Sequence, residues 1–233
     1  MIIKAFIIAF LLISSASVAI GQTYRDYDSG LIVEATDPEG LKQARNAAQK
    51  AYEFFRWLGY HNTIPVRIRF QPVVLYRWAD KKTERVYAYA DEKQHIIYMT
   101  QWDESWLVDQ KVFGQKLTPE LYQSILVHEL CHLLANAAAG KILGTAVSEY
   151  IAYVAQIQSL KEQTIRRIIA NYHTDPFKTR EINSFNLWKN AHRFGIRSYL
   201  HFKKTGNYFL TDVLKGRMDP DKKLMASMMS AYR

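Results

Sequence analysis

The chain of 233 residues holds one cysteine, Cys131, so no internal disulfide can form and stability must come from packing or from a bound metal. Glycine and proline are also scarce, at ten and six, which excludes collagen-like and low-complexity chains. Acidic residues are in deficit: 22 Asp and Glu stand against 31 Lys and Arg, a formal net charge of +9. Such an excess invites a nucleic-acid or anionic-surface reading. Here the basic residues are scattered, with doublets at Lys81-Lys82, Arg166-Arg167, Lys203-Lys204 and Lys222-Lys223 and no continuous basic helical face, so no nucleic-acid partner is expected. What remains, 48% hydrophobic and 23% charged, is the composition of an ordinary folded domain with a sizeable core.

The chain also lacks a membrane-length apolar run. Lys4 precedes nine apolar residues at 5–13, and a small-residue tail follows at 14–21, with Ser14, Ser15 and Ser17 interrupting the run. A transmembrane helix needs about 20 apolar residues. The pattern predicts a signal peptide over 1–21, cleaved after Gly21, and therefore an exported protein, periplasmic or secreted, with no stable membrane span after cleavage.

The mature part, 22–233, reads as a single α+β domain with a helix-and-sheet part over 22–117 and a helical part over 118–233. A β-prone run at 31–35 is followed by Asp37-Pro38, an N-cap and first-turn proline, and a helix marked by Ala44, Ala48, Ala51, Phe55 and Leu58 up to Gly59. Val66, Ile68 and Phe70 alternate with Arg67, Arg69 and Gln71, a half-buried strand expected to continue toward Tyr76. Strands over 85–90 and 95–100 flank a hairpin turn at 91–94, giving an antiparallel or mixed sheet, and His95 stands where an extended peptide would add as another strand. From Thr118-Pro119-Glu120 onward the pattern is helical: 119–139 ending at Gly140, then 145–170, 184–203 and 208–214. Met225, Met228 and Met229 near the end read as core filler.

Within the first of these later helices stands His128-Glu129-Leu130-Cys131-His132. Histidines four apart share one helical face, so both imidazoles can grip one ion, while Glu129, about 100° round, can reach a water on that ion without ligating it. A hydrolytic zinc site needs a third protein ligand and an open fourth position. A metzincin would place glycine and histidine three and six residues after His132, but Ala135 and Ala138 stand there. The first acidic residue downstream is Glu149, 17 positions on. It lies about 7 Å along the returning helix while His132 lies about 12 Å along its own, an offset a glutamate side chain can span. Its other reading is a helix-start carboxylate favoured by the dipole.

These residues, together with the run from Gly144 through Glu149 to Tyr153, resemble the gluzincin zinc metallopeptidases, in which a second helix brings a glutamate to the metal. The resemblance covers roughly 118–160 and extends more loosely over 191–216. It implies a zincin-like fold in which an N-terminal helix and mixed sheet stand over an active-site helix with a helical C-terminal half. It also implies a Zn2+ cofactor held by His128, His132 and Glu149, Glu129 as general base, and hydrolysis of a peptide or protein substrate. Thermolysin-type members carry an aspartate four residues after the glutamate ligand; Tyr153 stands there, and its hydroxyl is expected to support a zinc histidine instead. An oxyanion donor is expected among Tyr172, His173, His192, Tyr199 and His201, and Cys131 is expected to be a small buried residue. The alternative is a catalytically silent zinc-binding envelope scaffold or binding protein on the same fold.

Overall fold

A computed structural model describes residues 22–26, 30–35, 37–61, 63–77 and 82–218. The expected signal peptide and the Met-rich end lie outside the described residues. The architecture is α+β, with a mixed five-stranded sheet and seven α-helices among the described residues.

β1 (Gln22–Asp26) pairs antiparallel with β2 (Leu31–Ala35). α1 (Pro38–Trp57) then carries the chain over to β3 (Val66–Gln71), which lies parallel to β2. This is the crossover a parallel pair requires. Asp37 caps α1 by accepting from Gly40 N at 2.7 Å, Pro38 takes the first turn, and the buried face runs through Ala44, Ala47, Ala48, Ala51, Phe54 and Phe55. β7 (Ile96–Thr100) continues the parallel set beside β3, and β6 (Ala88–Asp91) closes the sheet antiparallel to it, in the order β1-β2-β3-β7-β6. One face, with Leu31, Val33, Val66, Ile68, Ile97 and Met99, belongs to the core. The other carries Glu34 between Arg67 and Arg69.

Two strand expectations needed correction. The strand from Val66 does not continue to Tyr76: Pro72 cannot donate to the ladder, and the chain restarts as β4 (Val74–Arg77), paired with β5 (Thr83–Val86) in a separate ribbon. Arg85 to Ala90 is likewise broken at Tyr87, because Thr100 takes both sides of the break, accepting from Val74 N and donating to Val86 O while its own amide donates to Tyr87 O. Past β7 a small hairpin, β8 (Lys111–Val112) and β9 (Gln115–Lys116), turns at Phe113-Gly114.

α2 (Pro119–Ala139) is capped by the Thr118 side chain, begins with Pro119 and ends at Gly140 in the left-handed region (φ 64°), as its sequence signals predict. It is apolar nearly all round and correspondingly buried, packed against α1, the sheet and α3 (Thr145–Gln158). The expected long helix over 145–170 ends at Gln158, and α4 (Glu162–Tyr172) starts afresh. Glu120 at the start of α2 accepts from both Lys161 N and Thr164 Oγ1, which fixes that break. The expected helix over 184–203 is also two: α5 (Ser184–Lys189) and α6 (Ala191–Thr205). Between them Asn190 is extended and caps α6 by accepting from Arg193 N at 2.8 Å. α7 (Tyr208–Leu214) follows. A single hydrophobic cluster runs through the sheet, α1, α2, α3 and the later helices, so the two parts of the chain share one core.

Candidate metal centre

α2 stacks His128 and His132 one turn apart, and α3 brings Glu149 up against them. His128 Nε2 and His132 Nε2 are 3.1 Å apart, His128 Nε2 to Glu149 Oε2 is 3.3 Å, and His132 Nε2 to Glu149 Oε1 is 3.7 Å. Ligand bonds of 2.0–2.1 Å in a tetrahedron give edges of about 3.4 Å, and the three separations bracket that value. No other part of the described structure gathers three such donors. The chemistry of the set, two imidazoles and a carboxylate closing around one point from two helices, fits a divalent metal with one position left open.

The helices also supply what stands behind the ligands. Ser148, next to Glu149, places its Oγ 2.7 Å from His132 Nδ1, so adjacent residues of α3 serve the metal position and the second histidine. His128 is held differently. Its ring meets the Tyr153 ring edge-on at 4.5 Å between centroids, and its buried Nδ1 makes no well-formed hydrogen bond among the described residues, Gln156 of α3 being the further polar side chain that acts on the ring. The expectation that the Tyr153 hydroxyl supports this histidine is therefore corrected: the contact is made by the ring. Gly195 on α6 makes room for that ring, since a Cβ there would stand 2.6 Å from Tyr153 Cδ1. Phe113, fully buried at the β8–β9 turn with φ 51°, packs against Tyr153 and against His192 of α6. Tyr153 thus sits between the ligand helix and the hairpin.

Charge is distributed unevenly. Burial disfavours the charged form of Glu149, but the hydrogen bond and charge of His128 outweigh it and draw the carboxyl down to about 2. Burial likewise pulls His128 down, yet Glu149 prevails and its net shift is upward. Burial takes His132 down to about 4. Glu129 is pushed by burial up to about 7, with the His128 charge pulling back, Glu149 pushing up and the Ala90 backbone amide on β6 pulling down. One carboxyl of the pair is thus ionised and aimed at the histidines, while the other keeps its proton to near neutrality beside the sheet edge. Environments that separate two carboxyls in this way are common at working sites. Burial, followed by the His128 charge, lowers His192 and keeps its imidazole neutral.

Of the residues singled out in the sequence, His128, His132, Glu149, Glu129 and Tyr153 come together. His173 lies exposed at the C-terminal cap of α4 (φ 41°), and Tyr199 is buried with its ring beside Phe202, so neither contacts the cluster. His201 is bonded to the Tyr150 hydroxyl at 2.8 Å. Of the expected donors, His192 and Tyr172 both stand against the Phe113-Gly114 turn that packs on Tyr153. Cys131 is fully buried, its thiol pushed up by burial, and it is not among the donors that gather at the cluster. Sequence reasoning missed Ser148, Gly195 and Phe113; a serine directly before a ligating glutamate is the one signal among them that could have been found. Two open grooves, of about 810 and 520 Å3, lie elsewhere, over α1 near β1 and between α1 and α6.

Residues 31–223 match the family of unknown function DUF6639, and the chain belongs to that family. No curated protein and no solved structure matches it.

Proposed function

We propose that this protein is an exported zinc-dependent peptidase of the gluzincin type on a zincin-like fold. The observation that carries the reading is the pairing of roles. His128, His132 and Glu149 stand at tetrahedral spacing, and a fourth group, Glu129, lies outside the ligand set on the same helix with its proton held to about pH 7. A purely structural zinc site has no use for such a base and is closed by a fourth protein ligand.

A zinc ion held by these three side chains would acidify a water and polarise a carbonyl. Glu129 takes a proton from the attacking water and gives it to the leaving amine; a pKa near neutrality suits both directions of transfer. β6 is the free edge of the sheet, antiparallel to β7, and Ala90 on it touches Glu129, so a peptide added along β6 as a further strand lies across the base. His192, which packs with Tyr153 around Phe113, is the side chain we assign to donate a hydrogen bond to the developing oxyanion.

The second reading, a silent zinc-binding envelope scaffold, is favoured by one observation: fully buried Phe113 packs against Tyr153 and His192, and the open grooves lie elsewhere. Cleavage of a broad peptide library by zinc-loaded protein separates them. The peptidase reading expects cleavage that disappears in Glu129→Gln; the scaffold reading expects none from either protein.

A further inference from the structure

α5 shows two large aromatic side chains to solvent. Phe185 is 70% exposed and Trp188 is 79% exposed, and at i and i+3 they are neighbours on one helical face. Their exposure is not a sign of a loose segment. Leu187 and Ile182, 7% and 0% exposed, fasten the stretch to the core from below. Asn183 caps α5 by accepting from Asn186 N and ties back to Arg180 O, while Asn186 donates to Glu181 O at 2.8 Å. Arg197 of α6 grips both oxygens of Glu181 at 3.1 Å. The pair of rings is therefore presented by a fixed block.

The charge around the pair is of one sign. Residues 178–193 carry Lys178, Arg180, Lys189 and Arg193, all exposed, against the single carboxylate of Glu181. That carboxylate accepts from the Lys178 backbone amide and is paired with Arg197, which together hold it below the usual carboxylate range. Two rings bury roughly 300–500 Å2 between them, below the about 800 Å2 per partner of a stable protein interface. A shallow aromatic wedge with a cationic rim is what an anionic bilayer surface accepts: the rings enter the headgroup boundary while Lys and Arg side chains reach the phosphates.

We propose that the block formed by 178–193 docks this protein peripherally onto an anionic membrane surface, with Phe185 and Trp188 inserted at the interface and the four cations on the headgroups. No span is involved, since among the described residues no helix is long and apolar enough to cross a membrane.

The test is sedimentation of the full-length mature protein with vesicles of phosphatidylglycerol and phosphatidylcholine, at low and at high salt, alongside F185S/W188S and K178E/R180E/K189E/R193E. All six positions are exposed, and unchanged melting temperatures check that both variants are folded. Binding to the anionic vesicles is expected to fall about tenfold or more in F185S/W188S. It should fall about fivefold for each reversed cation and weaken at high salt. Equal binding by wild type and F185S/W188S, equal binding to pure phosphatidylcholine, or no binding at all would each overturn the proposal. So would concentration-dependent self-association that F185S/W188S abolishes, because the face would then be an interface between copies of the chain.

Discussion

Replacing Gly195 by alanine tests the packing behind the first histidine ligand. The added Cβ would meet Tyr153 at 2.6, 2.8 and 3.2 Å from three ring carbons, where carbon atoms sit comfortably at about 3.5–4.0 Å. The ring must therefore move by about 1 Å. It is fenced by Phe113 at 6.0 Å and Phe194 at 6.4 Å between centroids, and its closest aromatic neighbour is His128 at 4.5 Å. Overpacking of this kind costs about 1–3 kcal/mol, which for a domain of this size lowers the melting temperature by about 2–12 °C. Because the Tyr153 ring bears directly on the His128 ring, part of the displacement reaches the imidazole, and zinc affinity should fall about 10–100-fold. The assay pairs calorimetry of zinc-loaded and zinc-free protein with competition titration of the metal. In Gly195→Ala combined with Tyr153→Leu the clash is gone, so the two changes should be non-additive by about 1 kcal/mol or more. If Gly195→Ala melts as wild type does and binds zinc as tightly, or if the double variant is simply additive, the argument fails.

Ser148→Ala removes the partner of His132 Nδ1 and should weaken zinc binding about 10–100-fold, at a cost of about 1–3 kcal/mol in zinc-free stability for the unpaired buried nitrogen; unchanged affinity in the same titration would refute its role. Cys131→Ser should keep full zinc content, because the buried thiol is not among the gathered donors; metal loss measured by mass spectrometry would show that the ligand set is misassigned. In the zinc-free protein, Glu129 has a folded pKa of about 7 against an ordinary value of 4.5. The wild type therefore loses stability as pH rises through that window and the buried carboxyl ionises, whereas glutamine is spared. Urea melts of Glu129→Gln and wild type should shift in the variant's favour by about 1–3 kcal/mol between pH 5 and pH 8, and a constant or opposite difference would contradict the assignment.

The parts of the fold and site that could be read from sequence are those set by local rules. Thr118-Pro119 and Gly140 bound α2 because capping oxygen, fixed proline φ and left-handed glycine act within one turn. His128, His132 and Glu149 could be brought together on paper because a five-residue link between helices leaves them one antiparallel arrangement. The breaks at 159–161 and Asn190 were not legible, since each depends on a partner far off or on capping chemistry hidden in a helical pattern: Glu120 gathers Lys161 and Thr164 from 41 and 44 positions away. Thr100 breaks the strand at Tyr87 in the same non-local way. Tyr153 was placed at the right residue with the wrong chemistry. The resemblance pointed to its hydroxyl as support for a zinc histidine, but only the missing side chain of Gly195 and the turn at Phe113 decide that the ring, rather than the hydroxyl, meets His128.

Two carboxylates on neighbouring helices are assigned different work, and metal content read together with peptide cleavage separates them in one experiment. Purified wild type, Glu149→Ala and Glu129→Gln are measured by mass spectrometry for zinc per chain and then given the same peptide library. Wild type is expected to hold about one zinc and to cleave, Glu149→Ala to hold sharply reduced zinc, and Glu129→Gln to keep full zinc with cleavage lowered about 10²–10⁴-fold. Wild type that holds zinc and cleaves nothing, or Glu129→Gln that cleaves as well as wild type, would contradict that assignment.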